Sequence, residues 1–135
     1  MRRIRATRAN LRGATLDGAD LTEAQLDDAC LEECSMKKAR AERANFCRAR
    51  FVKADARSTL FRGSNLKWTD FSHAHLEESD MTDVDLEASK LHRTFRDGLN
   101  LRGANTKDLE ETDAERARAE AFAAGAAAGP PPKAG

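Results

Sequence analysis

From Ala9 to about Thr106 the chain repeats every five residues with no insertion, and this odd period leaves few ways to fold. The first units read Ala9-Asn10-Leu11-Arg12-Gly13, Ala14-Thr15-Leu16-Asp17-Gly18 and Ala19-Asp20-Leu21-Thr22-Glu23. At the centre of the twenty units, sixteen residues are Leu, Met or Phe, and Ala41, Ala56, Arg96 and Thr106 are the exceptions. Two places earlier, eighteen of twenty are Ala, Ser, Thr or Cys, with only Val84 and Leu99 larger. Five steps of about 100° leave a helical position roughly 140° past a full turn, so the pattern cannot be one helix face. A flat strand fails as well, because a side-chain period of two throws the apolar residue to the opposite face at each unit. A chain that turns a corner once per unit satisfies both constraints. The central residue and the small residue two places before it then point inward, and the other three positions face water.

Read in this frame, Ala9-Asn10-Leu11, Ala19-Asp20-Leu21, Ala44-Asn45-Phe46, Ser64-Asn65-Leu66, Ser79-Asp80-Met81 and Ala104-Asn105 resemble the consensus of the pentapeptide-repeat family. That consensus is a small residue, then Asp or Asn, then Leu or Phe, then two variable polar residues. The resemblance spans roughly residues 4–108 and implies an all-β solenoid: a right-handed quadrilateral β-helix with four units per coil. Five coils at a strand spacing of about 4.8 Å make a rod about 24 Å long.

The charges carry the same twenty-residue spacing. Between residues 2 and 107, pairs twenty apart are of opposite sign fourteen times and of like sign twice, among them Glu23/Arg43, Asp28/Arg48, Glu33/Lys53 and Lys67/Glu87. Asp17 to Glu33 holds seven acids and no base, Lys37 to Arg57 eight bases and two acids, and Glu77 to Glu87 six acids and no base, so acidic and basic coils alternate. Exposed pairs of this kind contribute about 0–1 kcal/mol each, and their larger effect is to disfavour slips of register.

Two stretches depart from the repeat. In Thr94-Phe95-Arg96-Asp97-Gly98-Leu99, Arg96 takes a central slot, and an unpaired buried guanidinium is costly. A local bulge that turns Phe95 inward is therefore expected. Beyond the repeat domain (residues 1–108), Thr112-Asp113-Ala114-Glu115 reads as a capping box, so residues 109–124 are expected to form a short C-terminal α-helix. This helix would cover the end of the solenoid or hold a weak homodimer, the chain otherwise being a monomer. Residues 125–135, rich in Ala, Gly and Pro, are expected to be a disordered tail.

With 23 basic and 23 acidic residues the formal net charge is zero, which favours neither direct nucleic-acid binding nor a strongly acidic surface. Four arginines within Met1 to Arg8 precede no apolar run, and no eighteen-residue apolar stretch exists, so a membrane association is not expected and the cytoplasm is the expected location. Cys30, Cys34 and Cys47 fit a reducing compartment. Cys34 falls in an inward slot; Cys30 and Cys47 face outward without a paired His, which gives no nucleophilic catalysis. His73 and His92 fall on adjacent coils near His75, but no further ligand completes a metal set, and no metal or cofactor is expected. The glycines at unit ends are corner residues rather than a phosphate loop, because no helix follows them.

No catalytic acid–base or nucleophile–base arrangement is visible, so the chain is expected to be a non-enzymatic scaffold that binds another protein. Trp68 is the most informative outward residue: one coil from Arg48, it can gain cation–π attraction or anchor an interface, or merely cover its neighbours' stems. Leu60 is a second outward apolar residue. The expected contact surface is Arg48, Lys53, Arg57, Leu60, Lys67 and Trp68. The resemblance also implies an alternative, a DNA-mimicking modulator or protector of DNA gyrase, which calls for a mostly acidic rod rather than a neutral, banded one. A component or cargo of a bacterial secretion system is a further alternative that no residue selects.

Overall fold

The computed structural model describes residues 4–111. At every fifth position a residue pairs in parallel with the residue twenty further on, from Arg5↔Gln25 to Asp85↔Asn105. At Lys90–Leu91 (β1) and Glu110–Glu111 (β2) the bridge widens into two-residue parallel strands with Lys90 opposite Glu110 and Leu91 opposite Glu111. No helix occurs among the described residues. The repeat frame thus continues through Glu111, past the expected boundary at 108, so residues 109–111 belong to the solenoid and not to a helix. The remainder of the expected helix, the tail and the first three residues lie outside the described residues.

Each unit ends in the same corner. In Leu11-Arg12-Gly13-Ala14 the Ala14 amide donates to the Leu11 carbonyl at 2.9 Å, and only the third residue has positive φ, as in a type II turn. Every fifth residue from Arg8 to Asp108 adopts this left-handed conformation, sixteen of them non-glycine and five glycine. Four such corners per twenty residues close a four-sided coil. None of these 21 positions carries Val, Ile or Thr, the residues this φ penalises most. A non-glycine residue there costs about 1–2 kcal/mol, offset in part by the ~0.5–1 kcal/mol of extra chain entropy that glycine loses. Lys38→Gly, at an exposed corner with φ +59°, is therefore expected to raise the unfolding free energy by up to about 1 kcal/mol in urea denaturation, and Lys38→Val to lower it.

The five amides of a unit have five distinct destinations. Around Leu11, the Ala9 amide closes the preceding corner on Ala6, the Leu11 amide donates to Cys30 and the Gly13 amide to Glu32 of the next coil, and Cys30 returns a bond to Ala9. That leaves the amide just after the central residue. It is taken by the side chain just before it: Arg12 N donates to Asn10 Oδ1 at 3.2 Å. All ten Asn or Asp residues in that slot between Asn10 and Asn105 make this bond. The preference for Asp or Asn thus has a backbone cause, since this side chain supplies an acceptor to the corner amide that the backbone ladder leaves over. Where Ser35 occupies the slot, Asp17 of the preceding coil accepts the Lys37 amide at 2.9 Å instead.

Several of these carboxylates are held below their ordinary range. Hydrogen bonds from Thr22 to Asp20, from Arg57 to Asp55 and from Thr82 to Asp80 lower their pKa values, with Arg62 adding to the effect at Asp80. A carboxylate with a folded pKa below the unfolded value contributes stability that is complete above about pH 4 and lost as pH falls through the folded value. The protein is accordingly expected to keep its melting temperature from pH 7 to about pH 5 and to lose it below about pH 4. Asp80→Asn, which keeps the corner acceptor but not the charge, is expected to shallow that acid loss in a thermal melt series.

The interior consists of two kinds of column. Central residues stack face by face, as in Leu11, Leu31, Phe51, Phe71 and Leu91, and from Leu21 to Leu91 those with apolar side chains are fully buried. Small residues at the second inward slot are equally buried, and Thr59 satisfies its hydroxyl on the Met36 carbonyl at 2.6 Å. The middle of the stack is aromatic: Phe51 lies parallel to Phe71 at 4.6 Å, and Phe61 meets Phe46, Phe51 and Phe71 edge-on at 5.8, 6.0 and 6.1 Å. Phe61 stands one coil from Ala41 on the same face, so the small residue in that central slot leaves room for the ring.

The expected bulge at residues 94–99 does not form. The Leu99 amide closes the ordinary corner on Arg96, Gly98 holds the usual positive φ, and Phe95 pairs with His75 in register. Arg96 avoids burial in another way: in the last described coil its slot lies open to solvent, and its guanidinium pairs with Glu111 at 2.8 Å. Phe95 remains outside, 51% exposed, with its ring stacked on His75 at 4.4 Å.

Candidate protein-interaction edge

Because positions twenty apart share an edge, the structure sorts the six expected contact residues by face. Arg48, Lys67 and Trp68 lie together on one edge: the Arg48 amide donates to the Lys67 carbonyl at 2.8 Å and places Trp68 one coil beyond it. Lys53 and Arg57 belong to the next two edges, and half-buried Leu60 to the flat face between Arg40 and Asp80. The basic band encircles the solenoid and does not form one patch.

Its cations are also largely paired. Asp28 accepts two bonds from Arg48 at 2.9 and 3.2 Å, Asp55 holds Arg57 at 2.7 Å and Asp85 lies 3.7 Å from Lys67. The Arg48 bonds lower the Asp28 pKa and raise that of Arg48. Glu23–Arg43 and Asp28–Arg48 run straight between stacked positions, whereas Arg12–Glu33, Arg50–Glu32, Arg62–Asp80 and Lys67–Asp85 slant to a neighbouring position. Long side chains reach past the residue directly opposite. The expected Glu33/Lys53 and Lys67/Glu87 partners are thus replaced by Arg12 and Asp85.

Trp68 is 52% exposed, and the Arg48 guanidinium carbon lies 5.9 Å from its ring centroid. At that separation a cation is still attracted by the ring quadrupole. Asp28, Arg48 and Trp68 thus form a column in which a bidentate ion pair orients the guanidinium and the guanidinium backs the indole. The spacing of twenty made this column legible in the sequence. The His75–Phe95 stack obeys the same spacing, but the expectation of an inward Phe95 concealed it.

Among the described residues Cys34 and the histidines lie apart from the Trp68 edge. Burial pushes the Cys34 thiol up to about 12, far from nucleophilic at neutral pH. His73 and His92 meet edge-on at 5.9 Å, and His75 Nδ1 lies 3.3 Å from Glu77. Among the described residues no group of three or more His, Cys, Asp or Glu side chains is arranged to hold a metal ion. No helix among them is long and apolar enough to cross a membrane.

Comparisons with known proteins agree with this geometry. The solved structures most like it include the pentapeptide repeat protein Rfr23 from the cyanobacterium Cyanothece 51142, with a TM-score of 0.54, 24% identity, and coverage of 68% of this chain and 59% of that one. This chain therefore spans less than two thirds of that relative's length. A pentapeptide repeat protein of the Arabidopsis thaliana thylakoid lumen aligns with a TM-score of 0.50 and 25% identity over 80% of this chain and 72% of that one. Among curated protein sequences none matches significantly. The family model for pentapeptide repeats matches in eight copies, over residues 1–37, 31–67, 42–77 and 64–105. Corner, central residue and Asx acceptor all recur at the family's period, and the chain belongs to the pentapeptide-repeat family, whose members form right-handed quadrilateral β-helices.

Proposed function

We propose that this chain is a non-enzymatic scaffold that binds another protein through the edge carrying Arg48, Lys67 and Trp68. The observation behind this reading is the half-exposed indole held by Arg48, which Asp28 itself fixes from the next coil. A large side chain already held in place loses little freedom on binding, and Trp and Arg are the residues that most often dominate interface energetics. The interlocked coils make the whole edge rigid in the same way.

A photo-crosslinking residue at position 67, beside the intact Trp68, compared with one at Ser58 on the opposite edge, tests this. Capture from 67 and not from 58, lost on Arg48→Glu, is the expected result; equal capture from both edges contradicts it. Duplex DNA presents one negative charge per about 1.7 Å of axis. The paired acids and bases here do not imitate that, and an unchanged gyrase supercoiling assay is expected at micromolar protein.

A further inference from the structure

The edge that carries Trp68 reads, coil by coil, Arg8, Asp28, Arg48, Trp68, Ala88 and Asp108. Backbone bonds fix this order in space: the Arg48, Trp68 and Ala88 amides donate to Lys67, Glu87 and Lys107 at 2.8, 3.0 and 2.9 Å. All six residues hold the same left-handed corner conformation, with φ between +54° and +60°, so their side chains leave the solenoid in one row. Up to Trp68 each residue of the row is an electrostatic partner of the next. Arg8 acts on Asp28 through space, Asp28 holds Arg48 bidentately, and Arg48 lies over the indole.

The sequence of partners stops at Ala88. Arg48 backs one side of the Trp68 ring, and on the other side the row offers only a methyl group. Asp108 follows one coil further, exposed, with Glu87 beside the same step. At about 4.8 Å per coil, Trp68 and Asp108 stand roughly 10 Å apart along the row. A flat cation above Ala88 would lie about 5 Å from each, inside the reach of about 6 Å for cation–π attraction and within adjustment of an ion pair. Lys107 lies beside the same step, makes no ion pair with another described residue, and is outnumbered there by Glu87 and Asp108.

We propose that the step over Ala88 receives an arginine side chain of the partner protein, its guanidinium stacked on Trp68 and paired with Asp108. Arginine suits this better than lysine, because a planar guanidinium can cover a ring face and present a bidentate edge to a carboxylate at once. The bound row would then alternate without interruption from Arg8 to Asp108. This inference rests on the scaffold reading above and names the chemistry that reading leaves open.

Trp68 is the only tryptophan of the chain, so its emission reports on the step directly. The full chain is titrated with acetyl-Gly-Arg-Gly-amide and with the same peptide carrying citrulline, which keeps the shape and removes the charge. A saturable change at least about fivefold tighter for the arginine peptide is expected, as befits one cation–π contact plus one exposed ion pair. Asp108→Asn should weaken it about threefold. Ala88→Arg, which supplies the cation from within the chain, should abolish it. This variant is expected to fold, because arginine already holds the identical corner at position 48, and a thermal melt verifies that. Equal responses to arginine and citrulline, no saturable response to either, or undiminished binding by a folded Ala88→Arg each overturn the proposal. The two readings also fail separately. Capture from position 67 that survives Ala88→Arg leaves the scaffold standing without the arginine step, whereas peptide binding without any capture leaves the step standing without the scaffold.

Discussion

Phe51→Ala is expected to lower the unfolding free energy by about 3–5 kcal/mol, the usual cost of truncating a buried phenylalanine. The ring is fully buried, stacked on Phe71 at 4.6 Å and in edge contact with Phe46 and Phe61 at 5.2 and 6.0 Å. Truncation removes three aromatic contacts as well as apolar area, and each such pair is worth about 0.5–1.5 kcal/mol beyond burial. Relaxation is limited because each coil is bonded to the one on either side, so the cavity cannot close without breaking the ladder. The site also lies in the middle of the stack, where local fraying cannot absorb the damage. A domain of this size has roughly 5–15 kcal/mol of stability in total, so this one change should bring the urea midpoint close to buffer conditions. Phe95→Ala, at the exposed and stacked ring, should cost less than about 1 kcal/mol by the same assay.

Ala41→Leu is expected to destabilise by about 1–3 kcal/mol, although it adds apolar volume. Ala41 is fully buried in a central slot that elsewhere holds a large residue, and Phe61 is its neighbour on the same face one coil away. The Phe61 ring reaches Phe46 and Phe51, both in the coil of Ala41. A leucine at position 41 therefore competes with that ring for space. Phe61→Leu alone leaves a void, but together with Ala41→Leu it exchanges the two volumes. The double variant should be more stable than the sum of the single effects by about 1 kcal/mol or more, which a denaturation cycle measures. Simple additivity would mean that Phe61 does not occupy the space beside Ala41.

The sequence announced the solenoid because its period is a geometric constraint: a five-residue repeat with two inward positions has no helical or flat-strand solution. Stacking at twenty followed from the resemblance to the pentapeptide-repeat family, with the charge spacing in support, and it located Arg48 beneath Trp68 and His73 near His92. What the sequence did not disclose is how each corner is satisfied. The role of Asn10, Asn45 and Asp80 as acceptors for the amide two residues on depends on backbone bonds already being assigned elsewhere, and only the assembled coil shows which amide is left over. Arg96 needs no bulge because not every central slot is sealed; at the last described coil the slot is open, and Glu111 pairs with the guanidinium. Of the six expected contact residues, only Arg48, Lys67 and Trp68 share one edge. Charge blocks identify a coil, but a coil passes through all four faces, so Lys53, Arg57 and Leu60 share a coil with Arg48 or Lys67 and not their edge.

Every conclusion about edges, columns and corners depends on residues twenty apart being neighbours along a single axis. Spin labels at Gln25→Cys and Asn105→Cys, and at Arg5→Cys and Asn105→Cys, measure this in solution once Cys30 and Cys47 are replaced by serine. The backbones should be separated by about 19 Å and about 24 Å respectively, so the mean label distance should lengthen by about 5 Å between the two pairs. Equal distances, or broad distributions with no such increment, would contradict the twenty-residue coil.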